Sequence, residues 1–161
     1  RADSLAAERA RRDAETAAER DSARREEQRQ QRLTSARTTL EARVQFDYDE
    51  STITPAAEQI LRRKLPILRS SPTVRLRLEG HADERGSTEY NLALGSRRAQ
   101  SVQDFMAGFG ISANRFTTTS FGEERPLVNR SDEASWTQNR RVESVITGGT
   151  IVVSEDDRDE P

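Results

Sequence analysis

The first 42 residues contain no glycine, no proline and almost no large apolar side chain, so they cannot supply a hydrophobic core. Leu5 is the only large apolar residue among the first 32, and opposite charges recur at the four-residue spacing that supports an exposed helix. We therefore predict that residues 1–42 form a charged helical spacer or a partly disordered arm. Because Leu33, Ala36 and Leu40 follow a heptad-like spacing, a dimerising helix is the alternative.

Composition excludes some classes of partner and some kinds of chemistry for the chain. Its 161 residues carry 26 Lys and Arg against 28 Asp and Glu, which gives a net charge of −2. A protein that binds a phosphate backbone gains affinity from a basic excess, so we expect no nucleic-acid partner. These residues include no cysteine, which excludes disulfides, thiolate metal sites and a cysteine nucleophile within them.

Strand and helix patterns alternate over residues 43–148, which we predict to form one domain. Four segments have the composition or alternation of strands: RVQFDY, TVRLRLEG, RFTTTSF and RRVESVI. Two amphipathic helices are predicted between the first three segments, and Thr54 with Pro55 marks the start of the first helix. Pro66 lies inside that helix and predicts a kink or an early end. We predict that residues 149–161 form an acidic disordered tail.

The order of the elements is strand, helix, strand, helix, strand, loop and strand. Helices that alternate with strands favour an α/β (α+β) sandwich, in which two or more helices pack on one face of a four-stranded mixed sheet. The charged N-terminal helix would precede this layer. Trp136 falls in the predicted loop before the last strand.

The stretch GHADERGSTEYNLALGSRRA, residues 80–99, holds an unusual concentration of directional polar groups. Asp83 follows the second strand, Asn91 lies in the first turn of the second helix, and Arg98 lies two turns further along the same side. A guanidinium at the border of a core needs a carboxylate or a ligand, because leaving it unpaired there costs several kcal/mol. Two interpretations follow: a structural ion pair, or a site for a zwitterion whose carboxylate meets Arg98 and whose ammonium meets Asp83.

A metal site is a further alternative for this stretch, since His81 and Glu84 flank Asp83 in the loop. With a single histidine and no cysteine in the sequence, the loop offers too few ligands for a catalytic metal. The glycines at 80, 86 and 95 match neither nucleotide-binding fingerprint. We therefore expect no metal and no cofactor, and a histidine that orders the loop through hydrogen bonds.

The segment GHADERGSTEYNLALGSRRAQSV resembles the signature of the OmpA-like C-terminal domain, and within it the branch of peptidoglycan-associated lipoproteins of the Tol-Pal system. FDYDESTI before it, and SFGEERPLV and DEASWTQNRRVE after it, match the same family in order and spacing. The resemblance covers about residues 43–147 and implies an OmpA-C-like fold. Gly95 stands where many OmpA-like members have serine, whereas the Pal branch also has glycine.

The resemblance implies a non-catalytic module that binds peptidoglycan through the meso-diaminopimelate of the stem peptide. The aspartate of the GHxD motif and the arginine of the RA pair are the principal ligand contacts in the family, and here they are Asp83 and Arg98. Further contributions are expected from Asn91, from Arg141 of the NRRV motif, and from the loop after the first strand. The loop residues are Tyr48 and Asp49, which would act partly through backbone N–H groups.

The resemblance also implies a place in the cell envelope. We expect a periplasmic domain tethered to the outer membrane through a segment upstream of Arg1, although the lipidated cysteine of the Pal branch does not occur in these residues. Peptidoglycan and TolB-like periplasmic proteins are the expected partners. The alternatives are a flagellar-stator-type or other envelope anchor that uses the same domain, and a metal-dependent cell-wall hydrolase built on His81, Asp83 and Glu84.

Overall fold

The computed structural model describes residues 2–153, which contain four α-helices and four strands. Their order is α1 (Ala2–Glu41), β1 (Val44–Gln45), α2 (Pro55–Ser70), β2 (Arg75–His81), α3 (Thr88–Gly108), a 3-10 turn (Ala113–Arg115), β3 (Phe116–Gly122), α4 (Glu133–Asn139) and β4 (Arg141–Gly148). None of these helices combines the length and the apolar character that crossing a bilayer requires.

The strands form one mixed sheet in the order β1-β4-β2-β3. β2 pairs with β3 in parallel, whereas β4 runs antiparallel to both β1 and β2. Alternate residues of β2, Leu76 and Leu78, are buried in a core that also contains Leu61 of α2 and Val102 of α3. The predicted architecture, with helices on one face of a four-stranded mixed sheet and a helix before it, is confirmed.

The start of helix α2 follows the signals in its sequence, but its end does not. The Thr54 hydroxyl accepts a hydrogen bond from the backbone N–H of Ala57 at 3.1 Å, and Pro55 occupies the first helical turn, as predicted. Of the two outcomes predicted for Pro66, a kink or an early end, the early end is wrong, because the helix continues to Ser70. Burial of apolar residues on both sides of Pro66, with Leu68 at 0% exposure, outweighs the loss of one backbone hydrogen bond.

Helix α4 was not predicted, and it places Trp136 in a helix rather than in a loop. Asp132 caps it by accepting a hydrogen bond from the backbone N–H of Ser135 at 2.8 Å. The helix has only seven residues, too few to establish an apolar stripe at helical spacing. Its capping aspartate was therefore its main signal in the sequence.

Residues 36–152 form one compact unit, and residues 2–35 belong to a second unit. In the second unit, residues 2–35 are helical and almost entirely exposed. The compact unit begins seven residues before the predicted boundary at 43. Leu40 explains the difference, because it is fully buried in the core that follows it in the sequence.

The C-terminal limit of the compact unit also lies beyond the predicted end at 148. The backbone N–H groups of Thr150 and Val152 donate to the hydroxyls of Thr73 and Ser71, and Ile151 packs against the core. Most of the predicted acidic tail, from residue 154 onward, lies outside the described residues.

A close contact between two glycines joins α3 to the centre of the sheet. A Cβ atom on Gly80 of β2 would lie 1.7 Å from the backbone oxygen of Gly95 of α3, a distance that no packing adjustment can accommodate. A Cβ atom on Gly95 would lie 2.3 Å from the Ser120 hydroxyl. The two glycines therefore let α3 approach β2 closely, and this approach sets the position of Asn91 and Arg98 over the end of the strand.

Candidate ligand-binding site

A charged pocket of about 140 Å³ lies where the loop after β1, the loop after β2 and the first turns of α3 meet. Its lining consists of Tyr48, Asp49, Ala82, Asp83, Arg85, Gly86, Tyr90, Asn91, Leu94 and Arg98. Five of the six site residues predicted from the sequence are in this lining. Arg141 is the exception.

Arg98 is fully buried and donates three hydrogen bonds to backbone carbonyls. Nε bonds the oxygen of Glu50 at 2.8 Å, one terminal nitrogen bonds that of His81 at 2.8 Å, and the other bonds that of Asp47 at 3.0 Å. Because a guanidinium has five N–H groups, each terminal nitrogen keeps one more donor. Burial, with Arg140 nearby, lowers the pKa of Arg98 to about 10, so it remains cationic at neutral pH.

Asp83 is almost fully buried and receives its hydrogen bonds from two other arginines. The backbone N–H and the guanidinium of Arg85 donate to it at 2.9–3.1 Å, and Arg140 lies at 3.4 Å. Burial alone would raise the pKa of this carboxyl, but the bonds from Arg85 and Arg140 outweigh burial and lower it. No hydrogen bond or ion pair joins Asp83 to Arg98, so the predicted structural ion pair between these two described residues is not formed.

Asn91 is buried beneath the loop that carries Asp83. Its amide nitrogen donates to the backbone oxygens of Asp83 and Arg85, at 3.2 and 3.1 Å, and approaches a carboxylate oxygen of Glu123 at 3.4 Å. These bonds hold the loop in the conformation that directs the Asp83 carboxylate into the pocket.

The loop after β1 also lines the pocket, through Tyr48 and Asp49. Asp49 adopts a left-handed backbone conformation, with a φ of 55°, and its carboxylate accepts a hydrogen bond from the Tyr90 hydroxyl. Aspartate tolerates this conformation better than most residues. The Tyr48 ring lies 3.9 Å from the Arg85 guanidinium, so the two loops are also in contact through a cation–π interaction.

The two adjacent arginines of the NRRV segment, Arg140 and Arg141, contact different parts of the domain. Arg141 lies outside the pocket and donates to the backbone oxygens of Asn139 and Arg125. Arg140 reaches Asp83 and also donates to the Phe46 oxygen at 2.9 Å. Arg140 is the C-terminal cap of α4 and Arg141 begins β4, so the two side chains find different partners although they are adjacent in the chain.

A second cluster of possible metal ligands lies on the sheet, outside the pocket. Ligand atoms of Glu79, His81 and Glu143 all lie within 4.8 Å of one another. Both carboxylates are already engaged by arginines: Arg77 lies 2.9 Å from Glu79, and Arg43 lies 3.1 Å from Glu143. Arg141 also lies 3.3 Å from Glu143, so three arginines face two carboxylates in an ion-pair network rather than a set of free ligands. The imidazole of His81 joins this cluster and not Asp83 and Glu84, with which the sequence had grouped it.

His81 does not order its loop through its side chain, contrary to our expectation. The residue is 1% exposed, and neither ring nitrogen has a hydrogen-bond partner in the part of the chain that the structure describes. Its ring stacks on Phe121 at a centroid distance of 5.5 Å, and its backbone oxygen accepts from Arg98. Burial lowers the pKa of the imidazole to about 4, and Arg141 and Arg125 contribute to the lowering.

Comparison with known proteins decides the family. Residues 45–140, more than half of the chain, match the sequence profile of the OmpA family. The chain belongs to the OmpA family. It is 45% identical over 106 residues to the peptidoglycan-associated lipoprotein of Agrobacterium fabrum, a match that covers 66% of this chain and 60% of that protein. It is 47% identical over 98 residues to the protein of the same name from Pseudomonas aeruginosa, covering 61% and 58%.

Solved structures of OmpA-like domains share the fold. The peptidoglycan-associated lipoprotein of Burkholderia pseudomallei aligns with a TM-score of 0.63 and 36% identity, over 65% of this chain and 89% of that one. The C-terminal domain of Helicobacter pylori MotB aligns with a TM-score of 0.61 at 19% identity, over 66% of this chain and 84% of that one, which shows a common fold alone. The match spans about three fifths of the length of the A. fabrum relative.

Proposed function

We propose that this OmpA-family chain binds peptidoglycan without covalent chemistry, and that the pocket lined by Asp83 and Arg98 recognises the stem peptide. The observation that carries the proposal is the buried Arg98, whose positive charge has carbonyl partners but, within residues 2–153, no hydrogen-bonded carboxylate. A buried cation of this kind attracts an anion strongly. The names of the relatives, which describe association with peptidoglycan, support the same conclusion.

The free end of meso-diaminopimelate suits the charges of this pocket. It carries a carboxylate and an ammonium on one carbon, and the pocket combines an arginine fork with the carboxylates of Asp83 and Asp49. The ligand carboxylate would bond the free N–H groups of Arg98, and the ammonium would bond Asp83. Binding and orientation by charge need no reacting group, so the proposed role is that of an anchor rather than an enzyme.

The proposed location follows from this role. The domain would act in the periplasm and link the cell wall to the outer membrane, with TolB-like proteins as further partners. Residues 2–41 form one helix, which at about 1.5 Å per residue would span roughly 60 Å. A charged helix of this length would serve as a spacer between the membrane and the binding domain.

Calorimetric titration with a diaminopimelate-containing muropeptide tests the proposed function. We expect Asp83→Asn and Arg98→Lys each to raise Kd at least about tenfold, because each removes a charge-assisted bond worth about 1.5–3 kcal/mol. Arg97→Gln, at an exposed neighbour outside the pocket lining, is the matched control and should leave Kd unchanged.

A second ligand tests whether the terminal carboxylate of diaminopimelate is recognised. A muropeptide with lysine in place of diaminopimelate lacks only the terminal carboxylate, and we expect it to bind the wild type at least about tenfold more weakly. Circular dichroism would establish that each variant is folded. Wild-type affinity in both pocket variants, or equal affinity for the two ligands, would contradict the proposal.

A further inference from the structure

We infer that Arg85 is an internal cation that occupies Asp83 in the free protein and must be displaced when a ligand ammonium binds. This inference rests on the proposed function, because it assumes that Asp83 receives the ammonium of a zwitterion. It adds a residue that neither the sequence motif nor the family resemblance assigned to the site.

The Asp83 carboxylate has no free acceptor position in the unliganded protein. An ionised carboxylate offers about four lone-pair positions. The Arg85 backbone N–H and Nε approach Oδ1 at 3.0 and 3.1 Å, while an Arg85 terminal nitrogen and Arg140 approach Oδ2 at 2.9 and 3.4 Å. These four donors fill the carboxylate, so an incoming ammonium cannot bond it until one donor leaves.

Differences in burial identify the donor that leaves. The Arg140 side chain is 7% exposed and is also bonded to the Phe46 oxygen, so moving it would disrupt the interior. The Arg85 side chain is 29% exposed and lines the pocket, so its guanidinium can swing into solvent while its backbone N–H stays on Asp83. Displacing Arg85 exchanges one cation for another at the carboxylate.

Two aromatic rings hold Arg85 in the occupied position. Its guanidinium lies 3.9 Å from the centroid of the Tyr48 ring and 4.0 Å from that of Trp136, within the range of cation–π contacts. Trp136 is itself fixed by a hydrogen bond from its indole nitrogen to Glu84 at 3.1 Å. Tyr48 lines the pocket together with Arg85, whereas Trp136 of α4 holds the Arg85 guanidinium from outside the lining.

This arrangement sets a condition on the ligand. A neutral group cannot replace the positive charge of Arg85 beside the buried Asp83, whereas an ammonium can. The pocket would therefore discriminate in favour of ligands that carry a cation next to the carboxylate bound by Arg98. Arg85 would raise this selectivity at the expense of affinity.

Titration of the muropeptide into Arg85→Gln tests the inference, with Arg97→Gln as the control for loss of one nearby positive charge. Arg97 lies over the Tyr90 ring, 5.6 Å from its centroid, and makes no bond to Asp83. We expect Arg85→Gln to lower Kd by at least about threefold because the competing cation is gone, and Arg97→Gln to leave Kd unchanged.

Trp136 provides an independent signal, since it is the only tryptophan of the chain. Ligand binding should change its fluorescence in the wild type, because the guanidinium leaves the ring, and should change it far less in Arg85→Gln. Weaker binding by Arg85→Gln, or equal Kd values for Arg85→Gln and Arg97→Gln, would overturn this inference alone. Absence of binding by the wild type and by Arg85→Gln would overturn the proposed function and the inference with it.

Discussion

Buried polar side chains around the pocket differ in how their charge is balanced. The Arg98 guanidinium has three carbonyl partners, which stabilise it through dipoles and leave its net charge available. Asp83, by contrast, is neutralised by Arg85 and Arg140. The imidazole of His81 has no hydrogen-bond partner among residues 2–153 and stays neutral near pH 7 because burial lowers its pKa. Each side chain therefore responds differently to a ligand or to a change of pH.

His81 gives a prediction about pH. Its pKa is lowered from 6.5 to about 4 in the folded protein, so the unfolded chain binds this proton more tightly. The contribution of the neutral His81 to the free energy of unfolding is therefore complete above pH 6.5. It is lost as the pH falls from 6.5 through about 4, and the total loss for this pKa shift is up to about 3 kcal/mol. Urea denaturation between pH 4 and 6.5 should show the decline, and His81→Phe should reduce it. NMR titration of the single imidazole near pH 6.5 would contradict the prediction.

At the scale of elements, a side chain from one part of the fold completes the hydrogen bonds at the end of a helix in another part. The guanidinium of Arg115, just before β3, donates to the backbone oxygens of Leu68, Ser71 and Val74 at 2.8, 2.6 and 3.1 Å. Carbonyls in the last turn of a helix lack partners within the helix. Arg115 therefore completes the end of α2 and fixes the turn that leads into β2, the strand that carries the pocket loop.

Replacement of Arg115 tests this role. Arg115→Met keeps the length of the side chain but leaves the three carbonyls with fewer partners, and we expect a loss of about 2 kcal/mol in the free energy of unfolding. The exposed Arg130→Met is the control and should cost less than about 0.5 kcal/mol. Urea denaturation measures both values. Similar losses in the two variants would show that the α2 carbonyls do not depend on Arg115.

The compact unit of residues 36–152 contains the whole hydrophobic core. Its first residues are the last turns of α1, where Ala36 is 9% exposed and Leu40 is fully buried. At its other end, Ile151 packs against the same core. The unit therefore includes helical residues that sequence composition assigned to the charged arm.

Two truncations test the extent of this unit. A chain of residues 36–153 should unfold in one cooperative transition and bind the muropeptide with the Kd of the full chain, because the core and the pocket are intact. A chain of residues 43–153 lacks Leu40, and we expect it to be less stable by about 2–5 kcal/mol. Thermal and urea denaturation compare the two. Equal stabilities would place the boundary at residue 43, as composition had suggested.

Sequence patterns predicted the helices and strands that expose one face and bury the other. The alternation around Leu76 and Leu78 identified β2, and Thr54 with Pro55 identified the start of α2. Patterns failed where few residues carry the signal: the seven-residue α4 has no apolar stripe, and the burial of Leu40 depends on residues distant in sequence. At the pocket, the motif marked Asp83, Asn91 and Arg98, whereas the contacts of Arg85 and Arg140 with Asp83 were missed.

The sequence by itself determined the order of the longer elements, the layered architecture and the stretch of chain that forms the pocket. These features follow from local periodicity and from motifs that are contiguous in the chain. Only the tertiary structure decided which charged groups meet: Arg98 bonds carbonyls rather than Asp83, and Asp83 is held by Arg85 and Arg140. The physical reason is that a charged side chain takes the partners that folding brings within about 3 Å, and spacing along the chain does not specify them.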